Sequence, residues 1–306
     1  MDRLEAMSML VSVTETGSLS AAARRLRVPL ATLSRKVSEL ESRLGARLLI
    51  RTTRKLTLTD AGVAYVAAAR RILEQVEEAE HNAAGEFVEP KGELVVTAPL
   101  MFGRLHVLPV VAEFLAAFPA IDIRLTLSDR HVNLVDDHVD MAVRIGQLPD
   151  SSMVATGIGT MRMVTCASPA LLAARGMPKA PADLLRFACV AVDTPLPSPS
   201  WRFRNPRSGA AIDVPVRPRL SVTTTDAAAD AASLSVGVTR LLHYQAIDAI
   251  ARGALQVILE AYEPEPAPIH LVHVSRGQMP LKMRRFLDFA APRLREAIGA
   301  GQRPSA

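Results

Sequence analysis

The stretch SLSAAARRLRVPLATLSRKVSELESRLGARLLIRTTRKLTLTDAG, residues 18–62, decides how the chain begins to fold. Ser18 can cap the short alanine-rich helix that follows, and Val28-Pro29 interrupts it because the residue before a proline is pushed out of the helical region. A new helix starts near Pro29, where the missing proline N–H would have been unpaired anyway. Leu33, Val37, Leu40 and Leu44 form its buried stripe, and Gly45 ends it. Two helices joined by a tight turn make a helix-turn-helix. LLIR and KLTLT, separated by Thr52, Thr53 and Arg54, then suit a small two-stranded wing.

Charge singles out the same region. Between Ser20 and Leu58 ten Lys/Arg face two acids, Glu39 and Glu41, so this segment carries +8 while the whole chain carries +5. A basic patch focused in this way is how a protein meets a polyanion. Elsewhere the composition is ordinary: about half the residues are apolar, enough for cores that need neither disulfides nor metal. Two cysteines, Cys166 and Cys189, make no framework, and no run of about 18 uncharged apolar residues occurs. No signal peptide or membrane span is expected, and a reducing cytoplasm is the default compartment.

Upstream, Leu4, Met7, Leu10 and Val11 have helical spacing, and Gly17 closes that run. Downstream, Asp60 opens a long helix with an acid at its N-terminus. Tyr65, Ala69, Ile72, Val76, Ala79 and Ala83 recur on it at heptad spacing, with Arg70, Arg71, Glu74, Glu77, Glu78 and Glu80 on the other side. Packing on the chain's own domains would explain such a stripe, and a homodimer helix is the reading preferred here.

After a hinge at Pro90-Lys91-Gly92 the texture changes. GELVVTAP, IDIRLTLSD, VDMAVRIG and MRMVTCAS read as strands, and LHVLPVVAEFLAAF and PALLAARG read as helices. This alternation predicts a mostly parallel sheet with helices on both faces. Residues 195–218 are proline-rich loops and short strands, and MPLKMRRFLDFAAPRLREA restores a helix. DDHVD at 136–140 groups acids with a histidine, but it reads as a turn leading into a strand. No dinucleotide fingerprint, phosphate loop, HExxH or GxSxG occurs. Neither catalysis, nor a cofactor, nor a metal is therefore expected.

With ETGSLSAAARRL at 15–26 and LSRKVSELESRLGARLLIRTTRKLTLTDAG at 33–62, the N-terminus resembles the DNA-binding segment of the LysR-type transcriptional regulators. TAPLMFGR at 97–104 and GVTRLLHYQ at 237–245 extend the resemblance to that family's effector domain, whose fold is like that of periplasmic substrate-binding proteins. The resemblance implies an α/β protein with an all-α winged helix-turn-helix domain over 1–59 and a linker helix and hinge over 60–89. A two-lobed effector domain over 90–298 would follow, with lobe I at 90–161 and 266–298, lobe II at 162–265, and a frayed tail from 299 to 306. Double-stranded DNA, a small-molecule effector and a second copy of the chain in a dimer or tetramer are the implied partners.

On this reading the recognition helix presents Leu30, Ala31, Thr32, Ser34 and Arg35 to base edges, with Ser18 and Lys36 nearby. Arg51, Thr53 and Arg54 in the wing would reach the backbone or minor groove. Many family members have Ser-Gln where this chain has Pro29-Leu30, and leucine cannot make glutamine's bidentate bond to adenine. A shifted site preference is expected.

The resemblance places effector-binding residues at Pro99, Leu100, Met101 and Phe102, at Asp129, and at Arg144. Ser168, Thr194, Thr225, Gly237 and Val238 would supply the facing lobe. N–H groups at 100–103, opening a helix, would suit an effector bearing a carboxylate. Ser235 stands where relatives often have glycine, which puts the shape of that cleft wall in question. The rival reading is a cytosolic solute-binding or enzymatic α/β protein whose basic N-terminus is incidental.

Overall fold

The computed structural model describes residues 2–51, 56–84, 89–130, 132–148, 153–193, 200–274 and 279–300. The chain divides into two compact units, Met1–Glu89 and Pro90–Ala306.

The first unit opens with three helices: α1 (Arg3–Thr16), α2 (Leu19–Arg25) and α3 (Leu30–Leu44). Asp2 caps α1 by accepting the N–H groups of Leu4 and Glu5, and Ser18 caps α2 by accepting that of Ala21. Gly17 and Gly45 end α1 and α3 in the left-handed conformation, at φ 66° and 64°. The buried face of α1 is Ala6, Met9, Leu10 and Val13, while Leu4 is exposed. The predicted stripe was therefore rotated, because Ala6, Ala22 and Ala23 let the backbones approach closely and carry burial that a count of large side chains overlooks. Leu33, Val37 and Leu40 of α3 complete this core.

Strands β1 (Leu49–Arg51) and β2 (Leu56–Leu58) pair antiparallel as the wing. Glu41, at the far end of α3, accepts the N–H groups of Leu48 and Leu49 at 2.8 and 3.0 Å and so anchors the start of β1. Helix α4 (Asp60–Ala84) begins one residue after Thr59, whose hydroxyl accepts the Gly62 N–H at 2.9 Å. A Cβ on Gly62 would lie 2.1 Å from the Leu48 carbonyl oxygen, which explains the glycine that closes the LTDAG run at 58–62.

In the second unit each lobe is built on a five-stranded sheet, and lobe II adds a two-stranded antiparallel hairpin of Ser200–Arg204 and Ala211–Pro215. Lobe I has β3 (Gly92–Ala98), β4 (Ile121–Leu127), β5 (Met141–Ile145), β6 (Met153–Met161) and a late strand (Ala267–Val274), ordered β4-β3-β5-late-β6. Lobe II has β7 (Met163–Ala167), β8 (Cys189–Val192), a strand Pro218–Val222, a strand Val238–Leu242 and a strand Gln256–Ile258. Their order is 218–222, 189–192, 238–242, 163–167, 256–258. Each sheet is mostly parallel, as expected, with four strands running one way and one reversed. Ala267–Val274 in lobe I and β7 in lobe II run against both of their neighbours, because each is a strand that has just crossed from the other lobe.

One face of the lobe I sheet is covered by helix α5 (Leu100–Ala117) and by the helix Leu281–Ala300, through Phe102, Phe114, Phe286 and Leu294. Its other face carries no helix among the described residues; Leu134 and Val139 cover Ala142 and Val272 instead. By length and composition α5 could cross a membrane, at mean hydropathy 1.5, yet its apolar side chains Phe102, Val107, Val110, Val111 and Phe114 are lobe I core. Residues Gly103–Val107 of α5 form a π-helical turn. Strand β6 escaped the sequence reading because it is an edge strand with two glycines, burying only Ile158 and Met161. The last helix runs to Ala300, into the expected tail.

Candidate nucleic-acid interface and ligand cleft

Burying Leu33, Val37 and Leu40 against α1 and α2 turns the other side of α3 outward. Pro29, Leu30, Ala31 and Arg35 are exposed there, Leu30 at 46%, and Thr32 and Ser34 are half-buried. Arg35 Nη1 lies 3.1 Å from Glu39 Oε1, one turn along the same helix. A pair this exposed is weak, so the guanidinium is available to another acceptor. Lys36 differs: its ammonium is ion-paired with Glu5 of α1 and mostly covered, so it fastens α3 to α1. Ser18 spends its hydroxyl on the α2 cap at 3.4 Å. Arg51 closes the wing ladder opposite Leu56 through its backbone, while Thr53 and Arg54 lie outside the described residues.

Along α4 the heptad positions split. Ala69 is 1% exposed, and Tyr65 packs on the unit's own core. Ile72 and Ala79 are exposed and Val76 is half-buried. Arg70, assigned by spacing to the wet side, reaches Glu15 of α1 at 3.7 Å.

In the second unit, strand direction sorts the candidate ligand residues. β3, β4 and β5 run parallel, so Pro99, Leu100 and Met101, then Asp129, then Arg144 all gather at one end of the lobe I sheet. At the facing end of lobe II stands Thr225, whose hydroxyl lies 3.8 Å from the Met101 sulfur across the gap between lobes. Ligands of open α/β sheets bind outside such carboxyl ends. Phe102 is fully buried and forms wall rather than surface. Arg144 donates to the Val132 carbonyl, and burial lowers its pKa.

The first N–H of α5, on Leu100, is already taken: it donates to Asp129 Oδ1 at 3.0 Å. Tyr244, which the sequence reading passed over, stands edge-on to Phe102 and His106, with ring centroids 5.5 and 5.7 Å away. It follows the strand Val238–Leu242, yet its side chain belongs to the lobe I core. Burial pushes the Tyr244 hydroxyl well above the usual tyrosine range; the hydrogen bond from Gln245 opposes this, and the charge of Asp129 adds to it. Asp226, at the start of the helix Thr225–Ser233, is held below the usual carboxylate range by the Thr224 hydroxyl, the Ala227 N–H and, more weakly, Arg104.

Ser168, Gly237 and Val238 are not brought to the cleft. β7 is antiparallel to its neighbours, with Met163 opposite Leu242 and Cys166 opposite Thr239, so Ser168 and Gly237 sit at the far end of the sheet. Five steps of strand put Ser168 roughly 16 Å from the cleft end. There its hydroxyl accepts the Leu171 N–H at 3.2 Å and meets Ser235 Oγ at 2.7 Å. Ser235 has φ 65°, a conformation that suits glycine, and its replacement of glycine affects this distal turn, not the cleft wall. Thr194 lies outside the described residues. Around DDHVD, Asp136 and Asp137 hydrogen-bond Asn133, and Asp140 accepts the Val95 N–H, as turn and strand contacts.

Two family descriptions match the chain: "Bacterial regulatory helix-turn-helix protein, lysR family" over residues 4–63 and "LysR substrate binding domain" over 88–295. An HTH-type transcriptional repressor of Pseudomonas aeruginosa is 33% identical over 298 residues, covering 94% of this chain and 91% of its own. The HTH-type transcriptional activator AaeR of Escherichia coli is 29% identical over 290 residues, covering 94% and 93%. Among solved structures, CrgA, a LysR-type transcriptional regulator from Neisseria meningitidis, shares 30% identity at a TM-score of 0.59, covering 95% of this chain and 98% of that one.

Proposed function

Because the chain belongs to the LysR family of DNA-binding transcriptional regulators, we propose that the exposed first turns of α3 read its operator and that the cleft at the strand ends holds its effector. The exposure of Leu30, Ala31 and Arg35 on a helix whose other side is core carries the first part. Arg35 reads a guanine edge, and Leu30 meets a thymine methyl group instead of bonding adenine. Ser34 and Thr32 support that contact, and the wing with Arg51, Thr53 and Arg54 grips phosphates. Replacing Arg35 with Ala is expected to weaken operator binding by about 1 to 3 kcal/mol while random-sequence DNA is bound nearly as before. Equal losses on both DNAs in a mobility-shift titration would remove Arg35 from the reading. Binding by the intact protein should also fall steeply with salt.

In the cleft, Leu100, Met101, Asp129, Arg144 and Thr225 form the ligand set, with Tyr244 as its floor. Since Asp129 already brings a carboxylate to the N-terminus of α5, a ligand presenting an amine or hydroxyl donor suits the site better than the acid expected from sequence. A thermal-shift comparison of small amines with small carboxylates tests this. Stabilisation by the acids alone, retained in Asp129→Asn, would reverse the assignment.

Ile72, Val76 and Ala79, the open part of the α4 seam, join two copies, so that paired recognition helices meet DNA about 34 Å apart. An effector favouring one lobe geometry shifts that pairing only by its differential affinity. The setting for this work is the bacterial cytoplasm, where the promoter lies.

A further inference from the structure

The backbone passes between the lobes of the second unit twice. On the way out a single residue, Arg162, separates β6 from β7; on the return, residues 259–266 separate the strand Gln256–Ile258 from Ala267–Val274. Leu259 opens that return in the left-handed conformation, at φ 56°. The guanidinium of Arg162 spans the two passages. Its Nε donates to Glu263 Oε2 at 2.9 Å and its Nη2 to Glu263 Oε1 at 2.9 Å, a planar fork on one carboxylate. The same Nη2 reaches Glu260 Oε1 at 2.5 Å. Glu263 is the more enclosed acid, its side chain 14% exposed against 69% for Glu260.

Arg162 also holds a third segment. Its carbonyl accepts the His243 N–H at 2.9 Å, and the next residue is Tyr244, the lobe II side chain seated in the lobe I core. One residue thus touches both crossovers and the base of the side chain that joins the lobes.

We propose that Arg162 is a positioning residue for the effector response: by clasping Glu263 it locks the two crossovers together and keeps Tyr244 seated, which sets the angle of the cleft. A ligand that changes the angle works against this clasp. Its regulatory meaning rests on the effector reading above, but the clasp itself is a property of the protein without DNA or ligand, so the two can fail separately. A lysine would not replace the arginine, since one ammonium cannot fork onto both oxygens of Glu263.

Hydrogen exchange on the full chain tests it, together with the labelling rate of a thiol placed in the cleft by Met101→Cys. Cys166 and Cys189 are buried, and burial raises their thiol pKa values to about 12 and about 11, so they stay silent. Arg162→Gln is expected to speed exchange at residues 242–246 and 259–263 about tenfold and thiol labelling severalfold, with β3 and α3 unchanged. Glu263→Gln should give the same pattern, and the exchanged pair Arg162→Glu with Glu263→Arg should restore slow exchange. If Arg162→Gln does not fold, Glu263→Gln and the exchanged pair decide. Wild-type exchange and labelling in folded Glu263→Gln, or no recovery in a folded exchanged pair, would overturn the proposal. Failure of the wild-type protein to bind promoter DNA would instead count against the functional reading and leave the clasp standing.

Discussion

Lobes I and II share one sheet plan, yet the residues singled out by the resemblance gather at the strand ends facing the other lobe in lobe I and sit mostly at the far end of the sheet in lobe II. In lobe I the first strand along the chain, β3, is parallel to β4 and β5, so the residues after it, Pro99 to Met101, open toward the cleft. In lobe II the first strand, β7, is the crossing strand and runs against its neighbours, so the residue after it, Ser168, points away. The true counterpart of β3 is β8, which occupies the same second place in the sheet order. Position along the chain and position in the sheet are different coordinates, and only the second decides which residues face a ligand.

The largest effect expected from this contrast belongs to Tyr244, the lobe II residue packed as lobe I core and 5% exposed. Tyr244→Ala should cost about 3 to 5 kcal/mol in urea unfolding, the range for emptying an aromatic site. If the lobes were packed independently and Tyr244 lay at a loose boundary, the loss would be nearer 1 kcal/mol. Next comes Gly237, at the distal end. A Cβ there would stand 2.5 Å from the Ala188 carbonyl oxygen, a backbone atom that cannot step aside cheaply. Gly237→Ala should therefore destabilise by about 1 to 3 kcal/mol while leaving exchange in the first turn of α5 unaltered. A selective change at the cleft would return Gly237 to the ligand site.

What the sequence made legible follows how local each signal is. The helix-turn-helix needed only Pro29, Gly45, the Leu33-Val37-Leu40-Leu44 stripe and a charge count, all within one short stretch, although Leu44 at the end of that stripe is exposed. The rotated face of α1 was harder, since Ala6 is buried by close backbone approach, which no hydrophobic count weighs. Glu41 entered the sequence reading as an acid in the charge count, whereas its bonds to Leu48 and Leu49 depend on where the wing folds back. Tyr244 and Arg162 were invisible because their partners are distant in sequence: Phe102 of the other lobe lies 142 positions from Tyr244, and Glu263 lies 101 positions from Arg162. Knowing that β7 crosses over would have recovered them: counting sheet positions from the crossing strand places Tyr244 after the counterpart of β5.

The finest distinction sets Ser168 beside Thr225, two hydroxyl residues near helix starts, one at each end of the lobe II sheet. Ser168 is 2% exposed and caps the helix Pro169–Arg175, so Ser168→Ala removes a cap and should cost about 1 kcal/mol. Thr225 does no capping in that sense; its hydroxyl meets the Met101 sulfur of the other lobe, a weak contact in a gap that a ligand would enter. Thr225→Ala should cost less stability, about 0.5 kcal/mol, because a sulfur is a poor acceptor and water can replace it. It should nevertheless speed exchange at residues 100–103, which Ser168→Ala should not. The smaller stability change is thus expected to carry the larger cleft signal, and that inversion separates the two ends. A reversed pattern, with Ser168→Ala loosening residues 100–103, would mean the distal turn communicates with the cleft through β7 and that strand ends alone do not define the site.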